Sequence, residues 1–217
     1  LLSSHPADCK ESEFPPVMTV PTHRLCVYCG SSTGNRPEFA AHARDLGKAM
    51  AGAGIGLVYG GGGVGLMGEV ARAVLAAGGH VTGIIPDFLV SKERMLDGVN
   101  ELIVTRTMHE RKMAMFERST GFVALPGGIG TLEELAEILT WAQLQQHARP
   151  VVLLNVLEYW TPLITLFADM SRNGFIRPGF EVKLDVVSAT ADVIAAYRHR
   201  LSTTKDKAPV AILKDKL

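Results

Sequence analysis

Residues 126–134 combine a phosphate-binding pattern with nearby carboxylates. They read Pro-Gly-Gly-Ile-Gly-Thr-Leu-Glu-Glu and lie between a short apolar segment and a helical pattern. The glycines let the backbone approach a ligand closely. The first turn of a helix also offers unpaired N–H groups and the positive end of the helix dipole. We therefore expect this segment to hold an anion, with Glu134 close by.

Thr131 and Glu134 are open to two interpretations. A Thr-x-x-Glu pattern before an apolar run is typical of a capping box, in which Thr131 is the N-cap and both residues are purely structural. On a helical wheel the predicted core stripe consists of Leu132, Leu135, Ala136 and Leu139. Glu134 then shares the other side with Ile138 and Trp141, and a carboxylate on a second apolar face indicates a pocket at an interface.

Residues 108–112, Met-His-Glu-Arg-Lys, open another predicted helix with several charges. The guanidinium of Arg111 is a planar fork of donors that suits a phosphate or a purine edge. His109 is a possible proton donor and ranks below Arg111. The alternative is a solvated helix start whose charges form surface ion pairs.

Two more glycine-rich turns follow predicted strands, at 30–32 and 60–68. The second fits G-x-G-x-x-G in two registers, with Asp87 about 20 residues further on, which favours an NAD(P)-linked oxidoreductase. Such enzymes need one phosphate turn, at the first strand, whereas this chain has comparable turns on several strands. Several turns suit one compact nucleotide better. The residues that we expect to serve as phosphate-loop candidates are Ser31, Ser32, Gly61, Gly62 and Gly127.

The elements that must position these residues alternate along the chain. Short apolar runs predict strands at 24–29, 55–59, 80–85, 121–125, 151–154 and 184–188. Helical spacing predicts helices at 37–51, 66–77, 109–119, 131–145, 159–173 and 191–201. This order predicts a single α/β domain over 23–201, a Rossmann-like doubly wound parallel sheet with helices on both faces. The glycine turns then lie at the carboxyl ends of the strands, where such sheets bind ligands.

Composition excludes several classes of function. The 217 residues carry 22 Lys and Arg against 22 Asp and Glu, so no net field attracts nucleic acid or an anionic membrane. No apolar run approaches the roughly 20 residues of a membrane span. Residues 1–22 lack the apolar core of a secretory signal and predict a disordered tail, so we expect a cytoplasmic protein. Residues 202–217, rich in Lys and Asp, predict a solvated C-terminal tail.

Cys26 and Cys29 form a C-x-x-C pattern, which in other proteins is a redox or zinc motif. Both cysteines fall in a predicted strand, where side chains alternate between faces. Residues three apart then point to opposite sides and cannot share a metal ion or a disulfide. We therefore expect neither a metal site nor a disulfide at these cysteines.

Taken together, these residues resemble the LONELY GUY (LOG) family of nucleoside 5′-monophosphate phosphoribohydrolases. The family marker P-G-G-x-G-T-x-x-E is complete at residues 126–134. The similarity extends over about residues 25–187 and includes the segments 29–32, 58–62, 65–68, 83–86, 108–112 and 140–144. One departure is Ile129, where many relatives have Tyr, and the N-terminal tail has no clear counterpart.

The resemblance implies a function and a set of site residues. It implies a homodimer with its pocket near the interface, no cofactor, and release of free base from plain or N6-modified AMP. It makes Arg111 and Glu134 the catalytic pair. The substrate-binding residues that it implies are Glu93, Met108, Arg111, Lys112, Gly128, Ile129, Gly130, Thr131, Leu132, Glu133, Glu134 and Thr140. Family members were once labelled lysine decarboxylases, but nothing here resembles a pyridoxal-phosphate lysine with its phosphate cup.

The expected chemistry is cleavage of an N-glycosidic bond through an oxocarbenium-like transition state. Glu134 would stabilise the cationic sugar and orient water, and Arg111 would position the nucleotide and ease departure of the base. The amides of residues 128–131 would hold the 5′-phosphate. The alternative is a binding protein, because molybdenum-cofactor carriers share this layout of glycine turns and bind without turnover.

Overall fold

The computed structural model describes residues 20–90 and 95–204. Glu93 and most of the two predicted tails, 1–22 and 202–217, lie outside the described residues. None of the described helices is both long enough and apolar enough to cross a membrane.

The described chain forms one sheet of seven parallel strands. The strands are β1 (Arg24–Tyr28), β2 (Gly56–Tyr59), β3 (Val81–Pro86), β4 (Glu101–Thr105), β5 (Gly121–Ala124), β6 (Val151–Leu154) and β7 (Asp185–Val187). Their order is β4-β3-β2-β1-β5-β6-β7, and Leu25 of β1 pairs with Leu57 on one side and Gly121 on the other. The central strands are buried on both faces, as their continuous apolar runs require.

Helices cover both faces of the sheet. They are α1 (Pro37–Gly52), α2 (Gly65–Ala76), α3 (Asp87–Val90), α4 (Met108–Glu117), α5 (Ile129–Gln143), α6 (Thr161–Arg172) and α7 (Thr190–Thr204). Leu46 of α1, Val70 of α2 and Tyr197 of α7 belong to one core cluster. Phe116 of α4 and Leu135 of α5 belong to the other, against which α6 packs Phe167. The predicted α/β doubly wound parallel sheet is therefore confirmed.

Three elements were not predicted. The edge strand β4 contains the apolar run 102–104, which the sequence analysis did not assign to a strand, and it leaves Leu102 and Val104 exposed. The other two are α3 and a 3-10 turn at Val156–Glu158, which are too short to show a helical period.

Cys26 and Cys29 lie in different core clusters, on opposite faces of the sheet, as strand alternation predicts. Both thiols are free and buried. Burial raises the pKa of each thiol far above its ordinary value, and the negative charge of Glu134 adds to the rise. These cysteines are therefore part of the core and poor nucleophiles.

The winding of the sheet reverses between β1 and β5. The chain leaves β1 for α1 on one face and leaves β5 for α5 on the other, so the two loops diverge. In open α/β sheets this divergence opens a crevice at the carboxyl ends of the strands. The turn after β1 is the glycine-rich turn at 30–32, and the turn after β5 is the one that begins the 126–134 segment.

Candidate active site

The three glycine-rich turns meet at this crevice. The amide of Gly30 donates to the carbonyl of Pro126 at 3.1 Å, and the amide of Leu66 donates to the carbonyl of Gly30 at 3.0 Å. A Cβ at Gly65, where φ is +63°, would lie 2.3 Å from the backbone of Ser31. Only glycine allows this approach, because any side chain here would separate the turns.

The predicted phosphate-loop residues all lie in these turns. Ser31 and Ser32 are exposed, and the Ser32 hydroxyl accepts from the amide of Gly34. Gly61 and Gly62 are buried beneath the crevice, with φ at +83° in Gly61. Gly127 packs against Thr131, whose Oγ1 would be 2.1 Å from a Cβ at that position.

Helix α5 begins at Ile129, two residues earlier than the sequence suggested. Gly128 is the N-cap in an extended conformation, and no side chain caps the helix. The amides of Ile129, Gly130 and Thr131 belong to the first turn, where no helical carbonyl can accept from them. Residues 128–130 are exposed, so this helix end faces solvent with its dipole and amides available to an anion.

The capping-box interpretation of Thr131 and Glu134 is therefore wrong. Thr131 is the third residue of the helix and is buried, and Glu134 is the sixth residue, whose carboxylate accepts from Arg111. A box-like cap forms instead at α4, where Thr107 Oγ1 accepts from the amide of Glu110. The Glu110 carboxylate in turn accepts from the amide of Arg106.

Arg111 is held in the interior by contacts from two sides. Its Nε donates to the carbonyl of Ile84 at 3.1 Å, and its Nη1 donates to Oε1 of Glu134 at 3.1 Å. A Cβ at Gly60 would lie 2.1 Å from Nη2, so this glycine makes room for the guanidinium. The side chains of Arg111 and Glu134 are 10% and 13% exposed. The solvated interpretation of Arg111 is therefore wrong.

The carboxyl of Glu134 has a raised pKa. Burial raises the pKa of its carboxyl above the ordinary value, and the positive charge of Arg111 acts in the opposite direction. Glu133 and Glu137 add to the rise, and Lys112 reduces it. A carboxyl group with a raised pKa in a crevice is a candidate general base or acid.

Lys112 lies on the outer side of this pair. Its Nζ donates to Glu133 at 2.7 Å and to Glu137 at 3.0 Å. Burial alone lowers the pKa of Lys112, but these two hydrogen bonds outweigh it and leave the pKa raised. Met108, at the start of the same helix, is 38% exposed. Leu132 is half-buried and packs against the core cluster on the α5 face of the sheet.

One implied site residue, Thr140, is not brought to the crevice. Thr140 lies further along α5, is exposed, and bonds the carbonyl of Ala136 in its own helix. Glu93 lies outside the described residues. His109, the weaker candidate for a proton donor, is exposed in the first turn of α4.

The predicted wheel of α5 was partly wrong. Ala136, assigned to the core stripe, is exposed, whereas Ile138 is 2% exposed and belongs to the core with Leu135. Trp141 packs edge to face on Phe116, with ring centroids 5.1 Å apart. The second apolar face is thus covered by the chain itself and gives no support to an interface there.

Tyr159 is a contact residue that the sequence did not reveal. Its hydroxyl donates to the carbonyl of Gly127 at 2.5 Å, and its ring packs edge to face on Phe39 and Trp160. The two preceding residues, Leu157 and Glu158, have φ of +51° and +61°, which is strained for non-glycine residues. The only sequence signal was the position of this segment at the carboxyl end of β6.

Comparison with known proteins decides the family. A family model described as "Possible lysine decarboxylase" matches residues 67–197. A probable cytokinin riboside 5′-monophosphate phosphoribohydrolase of Oryza sativa subsp. japonica is 51% identical over 155 residues, which cover 71% of this chain and 68% of the relative. A cytokinin riboside 5′-monophosphate phosphoribohydrolase of Arabidopsis thaliana is 50% identical over the same shares of the two chains. This chain belongs to the LOG family. The resemblance read from residues 126–134 is thereby confirmed.

Solved structures similar to this LOG-family chain support its fold. The Moco carrier protein of Chlamydomonas rheinhardtii is 25% identical, with a TM-score of 0.63 over 83% of this chain and 98% of that one. The molybdenum cofactor binding protein from Rippkaea orientalis is 24% identical, with a TM-score of 0.61 over the same shares.

The geometry does not favour the decarboxylase description of the family model. A Schiff-base lysine is activated by a lowered pKa in an apolar or cationic setting. Lys112, the lysine beside the Arg111–Glu134 pair, has two carboxylate partners and a raised pKa. It is therefore held as a cation and is a poor nucleophile.

Proposed function

We propose that this LOG-family chain hydrolyses the N-glycosidic bond of an adenosine-type nucleoside 5′-monophosphate. The products are the free base and ribose 5-phosphate. The observation that carries the proposal is the buried Arg111–Glu134 pair, which lies beside the uncapped amino end of α5. Relatives at about half identity are named cytokinin riboside 5′-monophosphate phosphoribohydrolases, which supports the same reaction here.

The 5′-phosphate binds at the amino end of α5. The amides of residues 129–131 and the exposed turn at Gly128 supply donors and a favourable dipole without any cationic side chain. A nucleoside without phosphate has nothing to place there. A monophosphate is therefore the expected substrate.

Glu134 and Arg111 act on the bond that breaks. As the C1′–N9 bond lengthens, positive charge grows on the ribose and negative charge on the base. Glu134 as a carboxylate stabilises the sugar cation and accepts a proton from the attacking water, while Arg111 orients the nucleotide and stabilises the departing base. The oxygen of water ends on C1′ as a hydroxyl that keeps one of its protons, and the proton taken up by Glu134 passes to the departing base, which restores the carboxylate.

The preferred base is an adenine with an apolar N6 substituent. Ile129, at the start of α5, is 82% exposed, and Met108, at the start of α4, is also exposed. Such apolar side chains beside the crevice suit an isopentenyl-type group.

We propose in addition that two copies of the chain associate near Ile129 and Met108. Sizing chromatography with light scattering tests this dimer.

The experiment is an end-point assay for ribose 5-phosphate. Purified protein is incubated with AMP and with isopentenyladenosine 5′-monophosphate, and in parallel with the two matching nucleosides. The proposal predicts release of ribose 5-phosphate and base from the monophosphates, faster from the modified one, and little cleavage of the nucleosides. A carrier function, suggested by the similar molybdenum cofactor proteins, predicts binding without any product.

A further inference from the structure

A second cleft lies at the amino ends of the strands, whereas the glycine-rich turns lie at the carboxyl ends. Its volume is about 570 Å³, within the range of small-molecule sites. It is lined by Val20, Arg24, His80, Asn100, Glu101 and Arg118. Arg24 and Glu101 begin β1 and β4, and His80 directly precedes β3, so the cleft opens at the amino ends of these strands.

The cleft carries more positive than negative charge. Within residues 20–90 and 95–204, Arg24 forms no ion pair, and its buried Nε has no hydrogen-bond partner. Glu101 is shared between two neighbours: Oε2 accepts from Thr82 Oγ1 at 3.0 Å, and Oε1 lies 3.9 Å from Nε of Arg118. Two guanidinium groups therefore face a single carboxylate that is already engaged.

His80 adds a buried imidazole with unused hydrogen-bonding capacity. The residue is 7% exposed, and its Nδ1 has no hydrogen-bond partner among the described residues. Buried polar groups are rarely left unpaired. Burial lowers the pKa of His80, Glu101 of β4 raises it, and Arg24 of β1 lowers it. An anion beside this ring would favour its protonated form and give it a partner.

The walls of the cleft are fixed by the sheet. The amide of Arg24 donates to Thr120 Oγ1 at 2.9 Å, and the Asn100 side chain accepts from the amide of Val81 at 2.7 Å. The carbonyl of His80 accepts from the amide of Leu57 at 2.8 Å. Arg24 and His80 thus start from rigid strand ends and Arg118 from the end of α4, which reduces the entropy lost when a ligand binds.

We propose that this cleft is a second ligand site, which binds a small organic anion with carboxylate or phosphate oxygens through the guanidinium groups of Arg24 and Arg118 and the imidazole of His80. Guanidinium forks match both kinds of oxyanion. The site is separate from the crevice of Arg111 and Glu134, and it does not depend on the proposed hydrolysis.

The test follows the imidazole of His80 by proton NMR, with its signal assigned by its loss in His80→Gln. The full chain is titrated with pH in sodium chloride, in citrate and in inorganic phosphate at equal ionic strength. The proposal predicts that citrate, phosphate or both raise the titration midpoint of His80 by about one pH unit over chloride. A response to citrate alone identifies a carboxylate ligand, and a response to phosphate alone identifies a phosphate ester.

Arg24→Gln is the decisive variant, and Arg177→Gln is its matched control. Arg177 is an exposed arginine outside the cleft, and its replacement removes the same charge from the protein. Arg24→Gln should weaken anion binding at least about tenfold, as followed by the shift of the His80 midpoint, since a charged hydrogen-bonding partner is lost. Arg177→Gln should leave the shift intact. If Arg24→Gln is unstable, Arg24→Lys tests the role of Arg24 in its place, and its His80 midpoint should shift less with anion than that of the parent. An unchanged His80 midpoint in both anions, or an equal response in Arg24→Gln, overturns the proposal.

Discussion

Replacing Arg111 by methionine probes the buried ion pair most sharply. The variant keeps an unbranched apolar stem and removes the charged guanidinium, which leaves the Glu134 carboxylate, 13% exposed, without its partner. Breaking a buried pair in this way typically costs about 3–5 kcal/mol of unfolding free energy. The loss is a large share of the total stability of an average domain, about 5–15 kcal/mol.

The loss should depend on pH with a defined sign. The pKa of Glu134 is already raised by burial, and Arg111 is the largest influence that lowers it. Without Arg111 the folded-state pKa rises further above its unfolded value, near the ordinary 4.5. The penalty is therefore complete above the folded pKa, shrinks as pH falls through it, and vanishes below the unfolded pKa.

The assay is urea unfolding followed by circular dichroism at pH 7 and at about pH 5. Arg111→Met should lose about 3–5 kcal/mol at pH 7 and clearly less at the lower pH. The double variant Arg111→Met, Glu134→Gln should recover much of the loss, because no charge stays buried. Arg44→Met, which breaks the exposed Arg44–Glu69 pair, is the control and should cost no more than about 1 kcal/mol. A loss below about 1 kcal/mol in Arg111→Met at both pH values would refute the reasoning.

Three further substitutions test the site. Glu134→Gln should fold normally and lower kcat for AMP by about two orders of magnitude or more, because shape is kept and charge is lost; parental turnover in a ribose 5-phosphate assay would contradict this. Gly127→Ala should lower Tm and the affinity for AMP, because its Cβ would lie 2.1 Å from Thr131 Oγ1. Gly128→Ala is the control and should keep the parental Tm, because a Cβ at that position has nothing within 4 Å. Equal Tm values for the two variants in a melting experiment would count against the tight turn. Tyr159→Phe should raise KM for AMP by about threefold to tenfold with a smaller change in kcat, because the Gly127 carbonyl loses its hydroxyl donor. An unchanged KM would show that Tyr159 does not position the turn.

Much of the fold followed from local patterns in the sequence. The strand Val151–Leu154 was predicted with its observed bounds, because four apolar residues between Pro150 and Asn155 fit a strand buried on both faces. The strand β4 was missed although it contains the apolar run 102–104, and it lies at an edge of the sheet with Leu102 and Val104 exposed. Local periodicity does not reveal which strand lies at an edge.

The site was predictable in its residue types and less so in its contacts. Arg111 and Glu134 were selected as a pair from the family resemblance, and the structure brings them to 3.1 Å. The start of α5 was misplaced because Thr131 looked like a cap, whereas Gly128 takes the extended conformation that begins the helix. The contact of Tyr159 with Gly127 joins residues 32 positions apart and depends on the strained turn before it. No local pattern encodes such a contact.

The most direct measurement is a crystal structure of Glu134→Gln bound to AMP, a variant slow enough to keep its substrate. The account predicts phosphate oxygens within hydrogen-bonding distance of the amides of residues 129–131, and the side chain at position 134 facing C1′ of the ribose. A phosphate bound away from the amino end of α5, with residue 134 turned from the sugar, would contradict it.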